Sequence, residues 1–108
     1  MSTSEIPNQT LFEKLTETMQ LIYRKAIDAD DALAKLMQSG KGKFNHIFTP
    51  DAGFEVQSKR FMPYVKELAK DITELENANQ QSLQQSLPHI VKKMELLLTT
   101  LNQFKVTL

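Results

Sequence analysis

The chain has no cysteine, no tryptophan, only three glycines and no net charge. Without cysteine there is no disulfide, no thiolate zinc site and no thiol nucleophile, and the composition suits a reducing compartment. Without tryptophan the core has to come mainly from leucine, isoleucine and methionine. No run approaches the roughly eighteen apolar residues that cross a bilayer, so no membrane partner is expected. The first thirty residues lack a basic segment followed by an apolar one, which argues against a secretory leader. The expected location is cytoplasmic. Thirteen basic residues balance thirteen acidic ones. A protein whose affinity rests on phosphate contacts is normally clearly basic, so strong autonomous nucleic-acid binding is disfavoured.

What the chain does have is helical rhythm. Leu15, Met19, Ile22, Ala26, Ala29, Leu33 and Leu36 step by four and three. Phe61, Val65, Leu68, Ile72 and Leu75 do the same, as do Leu83, Leu87, Ile90, Met94, Leu97, Leu101 and Phe104. Each step lands near one full turn, so each set forms one apolar stripe on an α-helix. The spacing predicts an all-α fold: an antiparallel three-helix bundle with a long loop between helices 1 and 2. Residues 1–9 read as a flexible tail and 10–108 as one helical domain.

Local signals place the ends. Thr10 and Glu13 fit a capping box, which starts the first helix near residue 11 and carries it to about 38. The acids at Asp28, Asp30 and Asp31 invite a bend, whereas the unbroken stripe through Leu36 argues for continuity. Gly40 and Gly42 then stop the helix by allowing a left-handed exit. Ser58 is the expected N-cap of helix 2, with Pro63 early enough to be tolerated, and the helix ends around 77–81. Helix 3 is expected to start near Ser82, or at Ser86 with Pro88 in its first turn. Its stripe continues on both sides of Pro88, which favours a helical turn before it.

Little in the sequence converges on chemistry. His46 and His89 have no carboxylate or histidine three or four residues on, as helical metal ligands would. His46, between apolar residues, reads as a half-buried imidazole and His89 as a surface residue. Gly40-Lys41-Gly42-Lys43 lacks the spacing of a phosphate loop, and the three aspartates lack the pattern of a calcium loop. No cofactor, metal or catalytic residue is predicted, so the chain reads as a non-enzyme.

Binding surfaces remain. Residues 40–60 hold four bases against two acids, and 82–108 three against one. Lys41, Lys43, Lys59 and Arg60 bracket Phe44, Phe48 and Phe54. Interleaved bases and aromatics can hold single-stranded nucleic acid by stacking and charge, or an acidic peptide ending in an aromatic residue. The plainer alternative is that the phenylalanines plug one end of the bundle and the lysines solubilise the loop. Lys92 and Lys93 form a second basic pair on the outer face of helix 3, and the Asn/Gln residues from 79 to 85 form a solvated hairpin tip.

The order of these features carries a resemblance. Leu11-Phe12-Glu13-Lys14-Leu15 opens a helix. After Phe44-Asn45-His46-Ile47-Phe48 come Ser58-Lys59-Arg60-Phe61, then Tyr64-Val65-Lys66-Glu67-Leu68, a glutamine-rich turn and an aliphatic last helix. This resembles the N-terminal helical domain of the PriC-type primosomal replication restart proteins. Asn45 stands where that family usually has an acid and Ile47 where it has leucine. The resemblance implies an accessory role in replication restart, contacting the replicative helicase and single-stranded-DNA-binding protein at stalled forks. The family's basic C-terminal region has no counterpart in these residues, so contact with single-stranded DNA is expected to be weak or indirect. A small secretion-type helical chaperone or adaptor is the alternative, and a self-associating bundle a third.

Overall fold

The computed structural model describes residues 8–38, 40 and 46–107, apart from the side chains of Asn8 and of 105–107. Helix α1 runs Asn8–Gln38, α2 Met62–Glu76 and α3 Gln80–Thr107, with a short 3-10 turn at Pro50–Ala52 before α2. The three helices pack against one another as an antiparallel bundle. Its extents are 61 × 23 × 18 Å, and α1 and α3 are each about twice as long as α2.

The stripes form the core. Ile22, Ala26, Leu33, Val65, Leu68, Leu75, Leu97 and Leu101 are all buried, with Met19, Leu87 and Phe104 packed at the margin. Lys93 of α3 meets Glu67 and Asp71 of α2, while Phe104 meets Phe61 edge-on at 5.7 Å. Higher positions on one helix thus meet lower ones on the other, which fixes the antiparallel sense of α2 and α3.

Several helix ends differ from expectation. The start of α1 at Asn8 makes Thr10 an interior residue, so no capping box opens the helix there; Asn8 and Gln9 belong to the helix and not to a tail. No break occurs at the aspartates. Asp30 turns its carboxylate away from its own backbone and accepts the N–H groups of Phe61 at 2.6 Å and Met62 at 2.9 Å. Phe61 itself supplies no side-chain cap to α2. An aspartate on α1 therefore does for α2 what an N-cap residue normally does within its own helix.

Helix α2 starts at Met62, four residues after the expected cap. The groups of Ser58 are already committed: its Oγ accepts the N–H of Arg60 at 3.0 Å, and its carbonyl accepts the N–H of Ile47 at 2.8 Å. Helix α3 starts earlier than expected, because Asn79 Oδ1 accepts the N–H of Ser82 at 2.8 Å and caps it. The turn shrinks to 77–79, Gln80, Gln81, Gln84 and Gln85 are exposed helical residues, and Pro88 lies two turns inside α3. Gly40 has φ +71° and provides the left-handed exit from α1; Gly42 lies outside the described residues.

Candidate functional site

Residues 46–61 form a strap tied to α2 and α3. Its two limbs are joined by the hydrogen bond from Ile47 N–H to the Ser58 carbonyl. The buried hydroxyl of Tyr64 lies beneath that junction, accepting the N–H of Ser58 at 2.8 Å and donating to the Ser58 carbonyl at 3.1 Å. A longer contact of 3.5 Å reaches it from the N–H of Phe48. At the far end, the Thr49 hydroxyl donates to the Asp51 carboxylate. Gly53, at φ +109°, turns the chain back in a region that side chains rarely enter. The Thr49 bond, followed by the backbone of Asp51 itself, holds the Asp51 carboxyl below its ordinary value.

The aromatics of the strap are interior. Phe48 and Phe54 are 6% and 4% exposed, and their rings stack at 5.1 Å with 22° between planes. Each meets Tyr64 edge-on, at 4.9 Å and 5.0 Å. Edge-on and offset contacts set the positive rim of one ring against the negative face of another, worth about 0.5–1.5 kcal/mol per pair beyond burial. Phe48 and Phe54 therefore belong to the core that plugs the bundle, and Phe48 reaches the surface only where it lines a shallow pocket.

Charge also ties the strap down. The Glu67 carboxylate accepts the N–H of Glu55 at 3.0 Å and that of Val56 at 2.8 Å. Lys93 Nζ reaches Glu67 at 2.8 Å, Asp71 at 2.6 Å and the face of the Phe54 ring at 5.2 Å. Its side chain is only 13% exposed, so Lys93 is a clamp and not half of an outer basic pair; Lys92 alone is exposed. Burial by itself raises Glu67 and lowers Lys93. The hydrogen bonds and opposite charges between them outweigh that, leaving Glu67 below and Lys93 above their ordinary values.

Of the predicted site residues, Lys59 and Arg60 are exposed, and neither has an ion-pair partner among the described residues. Lys41, Lys43 and Phe44 lie outside the described residues. His46 is exposed, not half-buried, because the chain turns inward only at Ile47 and Phe48. Together with Phe48, Thr49, Pro50 and Lys59 it lines a shallow pocket of about 330 Å³. A larger groove of about 420 Å³ runs between the strap tip and the α2–α3 seam, with Leu75 and Ile90 among its lining and Asp71, Glu74, His89 and Lys92 along its sides. Among the described residues, no group of histidines and carboxylates is placed to hold a metal ion, and no helix is long and apolar enough to cross a membrane.

Asp30, Tyr64, Glu67 and Lys93 are the residues that sequence reasoning missed as a set. Glu67 and Asp71, four residues apart beside the α2 stripe, were the available signal. Two acids on one flank of a buried stripe call for a cation from the neighbouring helix. Compared with family models, curated proteins and solved structures, the chain matches none.

Proposed function

We propose that this chain is a non-enzymatic interaction module of DNA replication restart, acting in the bacterial cytoplasm. In this reading it contacts the replicative helicase, single-stranded-DNA-binding protein, or both, at stalled forks, and touches single-stranded DNA weakly or indirectly. One observation carries the reading. Lys59 and Arg60 stand exposed, with no ion-pair partner among the described residues, on a strap whose backbone is fixed at Ser58 and Phe61. A fixed backbone reduces the entropy lost when those two cations are ordered by an anionic partner. The family resemblance of the strap and of Ser58-Lys59-Arg60-Phe61 supplies the identity of the partners.

The test is a titration of the purified chain against the replicative helicase and against the tail peptide of single-stranded-DNA-binding protein, at low and moderate salt. Lys59→Glu with Arg60→Glu is expected to weaken binding at least tenfold, while unfolding free energy stays within about 1 kcal/mol of wild type. Wild-type binding to neither partner would sink the restart reading. Binding that the double variant leaves intact would move the site away from the strap.

A further inference from the structure

The outer face of α1 carries a second periodic pattern, distinct from the buried stripe. Glu17, Leu21, Arg24, Asp28, Asp31 and Lys35 step by four and three, and all six are exposed. Tyr23 and Ile27 lie on the flank of the helix away from Leu21. With Leu21, these are the exposed large hydrophobic residues among those described, at 46–51% exposure, all within seven positions of one helix. Leu21 and Tyr23 are about 160° apart around the helix, so the three do not form one continuous apolar patch, and Ile27 is the one that flanks Arg24 and Asp28. Among the described residues the charges of the row make few ion pairs. Only Asp31 and Lys35 pair, at 3.1 Å, and neither Arg24 nor Asp28 has an ion-pair partner among the described residues.

We propose that this face docks against the same face of a second copy, with the two α1 helices antiparallel about a twofold axis midway between Arg24 and Asp28. A row with alternating steps of four and three keeps to one face of a helix, and a twofold interface must be complementary to itself. Read in one direction the row is Glu, Leu, Arg, Asp, Asp, Lys. Laid against its own reverse about that axis, Glu17 faces Lys35 of the partner subunit and Arg24 faces Asp28 of the partner subunit, and each pair occurs twice. Ile27 approaches Ile27 of the partner subunit beside the axis.

The alternatives are repulsive. A parallel pair sets every charge against itself. Sliding the antiparallel pair by seven positions one way puts Glu17 against Asp28 of the partner subunit. Sliding it the other way puts Arg24 against Lys35 of the partner subunit. Charge thus selects one arrangement, while Ile27 supplies the apolar contact. In that arrangement Leu21 faces Asp31 of the partner subunit. This poor match, with a contact only one helix wide, places the dimer in the weak and transient class. The surface is separate from the strap, so its fate is independent of the restart reading.

Sedimentation equilibrium of the whole chain from micromolar to millimolar concentration tests this. The weight-average mass should rise from 12.4 kDa towards twice that value. Because each substitution enters the interface twice, Arg24→Asp should raise the dimer dissociation constant at least tenfold. Adding Asp28→Arg should restore it, with the melting temperature unchanged in both variants. Monomeric mass at every concentration would overturn the proposal. So would self-association that Arg24→Asp leaves intact, or that the double variant fails to recover.

Discussion

Asp30 lies 2.6 Å from the backbone nitrogen of Phe61, thirty-one residues further along the chain, and caps a helix to which it does not belong. The second oxygen takes the N–H of Met62, so one side chain satisfies two of the N–H groups that the start of α2 leaves open. The first turn of α2 is therefore completed by α1, beside its own bonds from the N–H groups of Tyr64 and Val65 to the Phe61 carbonyl.

Asp30→Ala is expected to cost about 1 kcal/mol, within the roughly 0.5–2 kcal/mol range of lost N-caps. Urea unfolding measures the total. Amide hydrogen exchange locates it: protection should fall first at Phe61 and Met62 and remain at Leu68 and Ile72. A loss spread evenly over the bundle would mean that Asp30 acts some other way.

Tyr64→Phe keeps the ring that both strap phenylalanines lean on and removes the hydroxyl beneath Ser58. The Ser58 N–H then loses its partner in a partly buried position, which costs roughly 1–3 kcal/mol. The crystal or solution structure of the variant should keep the three-ring cluster. Exchange at Ser58 and Ile47 should quicken relative to the helices.

Phe54→Ala should be far more costly, about 3–5 kcal/mol, since it empties a buried site and removes the stacked partner of Phe48 and the face beneath Lys93. The contrast with Lys59→Glu and Arg60→Glu is the informative comparison. Thermal unfolding should separate a residue that holds the strap from residues that the strap displays.

Glu67 gives the fold an acid limit. Its carboxyl lies below the ordinary 4.5, so the stability it contributes is complete above that pH and drains away as the pH falls through the folded value. Glu67→Gln should lower stability at neutral pH and flatten the decline below about 4.5. Lys93, held above its ordinary 10.5, behaves in the opposite sense: its contribution lasts below that pH and fades as the pH climbs through the higher folded value. Unfolding free energy against pH, compared between wild type and Glu67→Gln, checks both limbs. Parallel acid limbs would remove Glu67 from the account.

The helices were legible because burial imposes a period. Leu15, Ile22, Ala26, Ala29 and Leu33 announce one buried face through spacing alone, and the same holds for α2 and α3. The strap was not legible, because its order comes from contacts that leave no period. Ser58 has the chemistry of an N-cap, yet the Tyr64 hydroxyl and the Ile47 N–H take its backbone first. Phe48 and Phe54 read equally as plug or binding face until the position of Tyr64 is known. Lys93 looked like a solvated lysine because its two acids lie more than twenty residues away. Local propensity was overruled wherever a polar side chain found a distant backbone group.

Lys93 joins three parts of the molecule through one ammonium group: α3 carries it, α2 supplies both carboxylates, and the strap supplies the Phe54 ring. A slide of α3 by one helical turn, about 5.4 Å, would pull that ammonium out of reach of Glu67 or Asp71 and off the ring at the same step. The register of α3 and the closure of the strap are consequently a single mechanical variable. Force applied to the last helix would bear on the strap at Phe54.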